Sequence, residues 1–437
     1  MAKYLDLFAG AGGLSEGFTR AGFEPVAHVE MDTAACFTLK TRAAYHWLKK
    51  ENKLEIYQRY LKQEITREQF YSEIPASVLE TVLNYEISDD TIPSIFNDID
   101  HSLQGEKLDL IIGGPPCQAY SLVGRSRSEN RMVGDKRNYL YRLYAEFLKK
   151  YEPKYFVFEN VLGLLSAKDE DGTFHFDNMR KLFKEYGYST EFRILNASDY
   201  GVLQNRKRVI LIGCKGENTD FYPEIAKTES NCTVGELFQD LPSIQAGSGV
   251  VTPVSTLPYH GEYLYQSGIK ESAEETVTLH QARPNKDQDL EIYRIVATAW
   301  NKEKKRVDYT DLPERLRTHR NDKCFLDRFK VVASDLPCAQ TVVAHIAKDG
   351  HYFIHPDVEQ NRSLTPREAA RIQTFPDNYF FESNSGKPSR TLAYKQIGNA
   401  VPVCLAYSVA KALMPCFSEA NESPKLTPDD AKDEHNG

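Results

Sequence analysis

Six short runs of β-branched, aromatic and leucine side chains punctuate the first 214 residues, and their spacing constrains the fold more than any other feature. "YLDLF" (4–8), "PVAHVE" (25–30), "LDLIIGG" (108–114), "YFVFENV" (155–161), "TEFRILN" (190–196) and "RVILIGC" (208–214) read as strands. Several are apolar at successive rather than alternate positions, as strands covered on both faces must be. Helical patterns at 136–150 and 176–186 lie between them. Alternation of this kind predicts a doubly wound α/β sheet.

Two segments interrupt the rhythm. Residues 40–95 carry a charged and aromatic helical pattern, "YHWLKKENKLEIYQRYLKQEITREQFY", longer than a crossover between the second and third strands needs; it is expected to be an insertion. From 216 to 338 the periodicity turns irregular, with Pro/Gly/Ser turns, which predicts a second, smaller domain. Two domains suit 437 residues. The chain then returns to the first domain over 339–417. There "LTPREAARIQTF" opens a helix with Thr365 as N-cap, Pro366 at the first position and Glu368 closing a capping box. The polar, acidic residues 418–437 are expected to form a disordered tail.

Bulk properties narrow the classes of function. No apolar run reads as a bilayer span and the first residues lack a signal-peptide layout, so a cytoplasmic protein is expected. The eight cysteines are scattered without a Cys-x-x-Cys pair, which suits free thiols in a reducing compartment. His345, His351 and His355 fit no strong ligand spacing, and a strand–turn–strand pattern explains them better; no metal is expected. A net charge of −8 argues weakly against a nucleic-acid partner, but the charge is uneven. Residues 301–330 hold ten Lys/Arg against six Asp/Glu, and "GRSRSENRMVGDKRN" (124–138) is basic, glycine-punctuated and aperiodic, as a loop closing over a phosphate backbone would be.

Chemistry concentrates at the predicted strand ends. "DLFAGAGGLSEGF" (6–18) leaves the first strand and opens a helix, with Gly10, Gly12 and Gly13 permitting close backbone approach to a ligand. Ser15 takes the third glycine's place in G-x-G-x-x-G, which disfavours a dinucleotide and a nicotinamide oxidoreductase. Glu30, ending the second strand, can accept hydrogen bonds from both ribose hydroxyls of an adenosine, and Asp98 is a candidate for the adenine amino group; a loop-and-cap role is the plain alternative for each. In "IIGGPPCQAYS" (111–121), Pro115 and Pro116 stiffen the approach to Cys117 so that its thiol is presented rather than packed away. Glu159 ends another strand. Arg206 and Arg208, two residues apart, are expected on one face of the last. A thiol, a carboxylate and guanidinium groups at one rim suit addition to a polar heterocycle.

These blocks together resemble the DNA cytosine-5 methyltransferases, which use S-adenosyl-L-methionine. "DLFAGAGG", "HVE", "GGPPCQAYS", "ENV", "QNRKR", "LTPREAARIQTFPD" and "IGNAVP" appear in the family's order and cover most of 1–214 and 364–412. The resemblance implies a Rossmann-like methyltransferase sheet (1–215 and 339–417) with an irregular target-recognition domain (216–338). It makes Cys117 the nucleophile on a flipped-out cytosine, Glu159 the partner of the ring nitrogen and amine, and Arg208, beside Arg206, the partner of the carbonyl oxygen. Phe8, Gly10, Gly12, Gly13, Leu14, Glu30, Met31, Asp98, Ile99, Pro116, Asn399 and Val401 fall where the family holds its cofactor. Gln118, Ser121, Arg125 and Arg127 would face DNA near the flipped base, and Arg317 and Arg320 would read base edges of duplex DNA. A monomeric modification enzyme beside a separately acting restriction endonuclease is the expected setting. The competing readings are a transfer-RNA cytosine-5 methyltransferase and a catalytically silent DNA-binding relative.

Overall fold

The computed structural model describes residues 1–116, 139–169, 171–228, 230–318 and 326–418. Seven strands form one sheet: β1 (Lys3–Leu7), β2 (Glu24–Glu30), β3 (Val82–Asn84), β4 (Leu110–Gly113), β5 (Tyr155–Asn160), β6 (Tyr188–Asn196) and β7 (Lys207–Lys215). Their order is β3-β2-β1-β4-β5-β7-β6. Only β7 runs against the rest, pairing antiparallel with both β5 and β6.

The doubly apolar strands explain the layering. Leu5, Leu7, Ile111, Phe156 and Phe158 point to one side, where helices Ile92–Leu103, Leu140–Tyr151 and His175–Glu185 cover them. Tyr4, Leu110, Ile112 and Val157 point to the other, beneath α1 (Gly13–Arg20) and the C-terminal helix Val403–Leu413. Those last two helices touch along their length: a Cβ on Gly17 would sit 2.4 Å from the Cβ of Ala406. By length and composition Arg390–Phe417 could cross a bilayer, contrary to expectation. In the fold it divides at Ala400–Pro402, and Leu405, Ala406, Val409 and Ala410 are buried as the floor under α1.

The third strand is β3, not 108–114. It is three residues long and follows the helical pattern, so its β signal is lost in its neighbours'. Residues 40–95 are therefore only partly an insertion. Helix α2 (Thr33–Lys50), capped by Asp32 through the Ala34 and Ala35 amides, is the ordinary β2–β3 crossover. The extra material is α3 (Leu54–Leu61), α4 (Arg67–Ser72) and a single turn, Ala76–Leu79.

The apolar cores also redraw the expected boundaries. Val234, Leu237, Tyr263, Leu264 and Leu279, from the segment expected to stand apart, pack in one cluster with Tyr57 and Phe70 of α3 and α4 and with Ala369, Phe375 and Ile397. Only the stretch around Ile292, Val296, Tyr309 and Leu316, with Phe329 and Ile354, forms a smaller core of its own. The second body is thus built jointly from the extra helices, 234–281 and 332–403.

At its centre lies helix Pro366–Ile372. Thr365 and Glu368 close the expected capping box. Arg362 grips Glu368 with two bonds of 2.7 Å, and Arg371 spans Asp377 (2.6 Å) and Asp240 (2.5 Å), all buried. Removing one partner of such a pair costs about 3–5 kcal/mol because the other charge is left uncompensated.

His355 is buried against this network. Its Nδ1 accepts the Asp357 N–H at 3.1 Å, which turns Nε2 toward Glu368, 3.5 Å away. Burial pushes the imidazole down to about 4 despite that carboxylate. A folded histidine that resists protonation contributes stability that is complete above the unfolded value of 6.5 and is lost as pH falls toward about 4. Urea unfolding between pH 7.5 and 4.5 should show wild type losing up to about 3 kcal/mol more than His355→Asn over that window. Parallel slopes would remove His355 as the cause.

Candidate active site

The winding of the sheet reverses between β1 and β4, and ligands of such sheets bind beyond the carboxyl ends of the strands at that point. The loop leaving β1 is shaped by positive φ at Phe8 (58°), Gly10 (55°) and Gly12 (79°). For Phe8 that conformation is strained, and the surroundings hold it. The Ala9 amide bonds Val29 O at 3.1 Å, and the Gly10 amide bonds Glu30 Oε2 at 2.7 Å. The other Glu30 oxygen accepts from the Asp32 amide, also at 2.7 Å. Burial raises the Glu30 carboxyl while these amides pull it back. Glu30 thus has the loop-and-cap role expected as its plain alternative: it braces the turn on both sides.

Gly13 packs against the far end of the chain, since a Cβ there would lie 2.3 Å from Val401 O. Leu14 and Val401 both belong to the core beneath the loop. Met31 is 56% exposed beside Glu30, and Asn399 is exposed at the end of helix Arg390–Asn399. Lys395 of that helix reaches Asp32 at 3.1 Å, joining the two sides of the rim.

Two expected cofactor residues stand elsewhere. Asp98 lies within helix Ile92–Leu103 and accepts from the Tyr85 hydroxyl at 3.0 Å; Ile99 is fully buried in the core against the sheet. The carboxylate just beyond β3 is Glu86, exposed. Sequence reading passed over it because β3 itself was not recognised.

The "GGPP" turn is explained by its neighbours. A Cβ on Gly113 would meet Leu7 O at 2.0 Å, and one on Gly114 would meet Glu159 O at 1.9 Å, so this backbone is wedged between β1 and β5. Asn160 donates from Nδ2 to Pro115 O (3.1 Å) and accepts the Val161 amide, tying the half-buried Pro116 segment to the end of β5. Next to it, Arg208 Nε meets Glu159 Oε1 at 2.6 Å, both side chains being slightly exposed. Cys117, Gln118, Ser121, Arg125, Arg127 and Arg320 lie outside the described residues. Arg317 ends the turn Glu314–Leu316 and is half-buried.

Arg206 does not share the rim with Arg208. It precedes β7, is 1% exposed, and donates to Val342 O and Gly398 O, so strand alternation does not govern it. Its neighbour Gln204 is also buried: its Oε1 accepts the Val342 amide (2.8 Å) and its Nε2 donates to Gln373 Oε1 (2.8 Å). Gln373 in turn donates to Ile397 O and Ala400 O. "QNRKR" is thus largely the joint between sheet and second body, with Arg208 alone reaching the site. Among the described residues no group of three or more His, Cys, Asp or Glu could hold a metal ion.

Comparison with known proteins agrees with this architecture. The family model for C-5 cytosine-specific DNA methylases matches residues 2–70 and 79–415. The chain belongs to that family. It is 42% identical over 450 residues to the type II methyltransferase M.Bpa9945I of Bacillus paralicheniformis, covering 94% of this chain and 98% of that protein. To the type II methyltransferase M1.HphI of Haemophilus parahaemolyticus it is 31% identical, covering 94% and 86%. A solved prophage-encoded DNA modification methyltransferase of E. coli shares the fold at a TM-score of 0.61 and 22% identity, over 95% of this chain and 99% of that one. The family match leaves out only 71–78 of the 40–95 segment, so α2, α3 and most of α4 fall within the family pattern; α3 and α4 are additional to the crossover, not to the family.

The two arginines should separate experimentally. Arg206→Ala strands two buried carbonyls and should lower stability by about 2–3 kcal/mol in urea unfolding. Arg208→Ala should stay within about 1 kcal/mol of wild type yet lose at least about 100-fold in methyl transfer. The reverse pattern would exchange their roles.

Proposed function

We propose that the protein transfers a methyl group from S-adenosyl-L-methionine to carbon 5 of a cytosine flipped out of a specific duplex DNA sequence, as the cytoplasmic, monomeric modification enzyme of a type II restriction–modification system whose endonuclease acts separately. The observation that carries the reading is the Glu159–Arg208 pair, held at 2.6 Å beside the wedged Gly113–Pro116 turn that leads directly to Cys117.

The rim suits the cofactor. A Cβ on Gly12 would lie 2.8 Å from Leu39 and from the Tyr379 hydroxyl, so the loop offers bare backbone where a side chain cannot go. In this reading Gly10, Gly12, Gly13 and Phe8 line the cofactor, Glu30 takes the ribose, exposed Met31 lies along the adenine, Glu86 replaces Asp98 as the nearby carboxylate, and Pro116 and Asn399 close the sides. When bound, the cofactor supplies an electrophilic sulfonium methyl.

The chain's own groups prepare the base to receive it. The Cys117 thiolate adds to ring carbon 6. Glu159 holds the ring nitrogen and amine and delivers a proton to the nitrogen as electron density builds there. Arg208 steadies the carbonyl oxygen. Carbon 5 then becomes nucleophilic and takes the methyl; it next gives its proton to water, the carbon–sulfur bond to Cys117 breaks as the 5,6 double bond re-forms, and the ring nitrogen returns its proton to Glu159. Flipping is required because a thiol cannot reach carbon 6 inside a stacked duplex.

Cys117→Ser should abolish methyl transfer with little loss of DNA binding, because an alcohol at neutral pH is a far poorer nucleophile than a partly ionised thiol. Wild type should be trapped covalently on 5-fluorocytosine DNA. Trapping that persists in Cys117→Ser would overturn the assignment.

Sequence recognition falls to the stretch that forms the smaller core around Ile292, Tyr309 and Leu316. Arg317 and Arg320 would read base edges, whereas Arg125 and Arg127 would hold the backbone. Neutralising Arg125 and Arg127 should weaken binding to cognate and scrambled duplexes alike and flatten the salt dependence. Replacing Arg317 or Arg320 should cost about 1–3 kcal/mol on the cognate duplex only. A change of sequence preference in the first pair but not the second would reassign recognition.

A further inference from the structure

The second body reaches into the glycine loop through one side chain. Tyr379 is 1% exposed, and its hydroxyl donates to Ala11 O at 2.6 Å, between Gly10 and Gly12. The same oxygen is one of the two atoms that a Cβ on Gly12 would strike. The Arg42 guanidinium lies over the Tyr379 ring, 4.8 Å from its centre, and also binds Glu16 of α1 at 2.5 and 2.8 Å. Burial alone would raise the Glu16 carboxyl, but Arg42 and His46 hold it well below the ordinary carboxylate range. The loop and the start of α1 therefore rest on Tyr379 and Arg42 together.

The segment carrying Tyr379 is held from the opposite side by the extra helices. Tyr57 donates to Asn378 O at 2.8 Å, Tyr60 to Glu382 Oε1 at 2.6 Å, and Arg67 to Ser383 O at 2.6 Å. Thr41, at the middle of α2, donates to the same Glu382 oxygen at 2.7 Å. Every one of these side chains is buried. A continuous set of contacts thus runs from α3 and α4 through residues 378–383 and Tyr379 to the Ala11 carbonyl.

We propose that Tyr379 is a positioning residue for the cofactor loop, and that α3 and α4 serve to hold it there. The hydroxyl sets the direction of the Ala11 peptide, and with it the neighbouring amides that border the ligand. Cofactor affinity then depends on how the second body is seated, although Tyr379 touches no reacting atom. This inference rests on reading the glycine loop as the cofactor site.

The test is calorimetric titration of the full chain with S-adenosylhomocysteine, without DNA, so that catalysis does not enter. Tyr379→Phe keeps the ring and removes only the hydroxyl. Its affinity should fall about three- to tenfold, the range for one lost internal hydrogen bond. In turnover the Michaelis constant for the methyl donor should rise by the same factor, with kcat at saturating donor and the Michaelis constant for DNA near wild type. Tyr57→Phe, which loosens the next contact outward, should show a smaller loss in the same direction.

Tyr188→Phe is the control, since its buried hydroxyl donates to Pro153 O at 2.9 Å, away from the loop. It should bind S-adenosylhomocysteine as wild type does. Unchanged affinity in Tyr379→Phe, or an equal loss in Tyr188→Phe, overturns the role of Tyr379. Wild-type affinity in Tyr57→Phe removes the extra helices from it. Failure of wild type itself to bind the ligand would instead overturn the cofactor site.

Discussion

Everything in the site depends on a contact between two stretches of backbone almost 390 residues apart. Gly13, at the start of α1, lies so close to Val401 O that no Cβ fits, and Gly17 lies equally close to Ala406 one turn later. Close-packed interiors tolerate no added methyl group at such points without displacement. The C-terminal helix Val403–Leu413 therefore closes the floor of the sheet, and the helix before it, Arg390–Asn399, ends with Asn399 at the rim. The amino-terminal loop alone would offer a glycine turn with one wall missing.

The second body is held to the sheet by buried polar contacts that follow one another in series. Gln204 connects Val342 to Gln373, Gln373 connects to Ile397 and Ala400, and Arg206 caps the Val342 and Gly398 carbonyls. Amide and guanidinium groups suit this joint because each satisfies several backbone groups at fixed angles, whereas an apolar seam would permit sliding. At the edge of this joint Glu159 and Arg208 pair with each other at 2.6 Å.

Conspicuous residue patterns turned out to have two different causes. The glycines of "GGPP" answer to neighbouring strand carbonyls, and the two arginines of "QNRKR" part company, one into the joint and one onto the rim. Arg206 and Arg208 look alike in the sequence because their spacing suggests a single strand face. The strand begins only at Lys207, so the rule of alternation does not extend to Arg206. Asp98 stands within helix Ile92–Leu103 and accepts from the Tyr85 hydroxyl, while the carboxylate just beyond the short β3 is Glu86.

The amino-acid sequence alone determined the class of fold, five of the strands beside β1, the capping box at Thr365 and the strand-end placement of Glu30 and Glu159. Those features follow from local periodicity and from backbone chemistry within a few residues, which a linear reading can see. It could not determine the three-residue β3, the joint core of the second body, or the reach of Tyr379 into the glycine loop. Each of these is a pairing between residues distant in the chain, selected by shape and by the need to satisfy buried polar groups. Such requirements exist only once the elements have been packed together, and so the tertiary structure alone decided them.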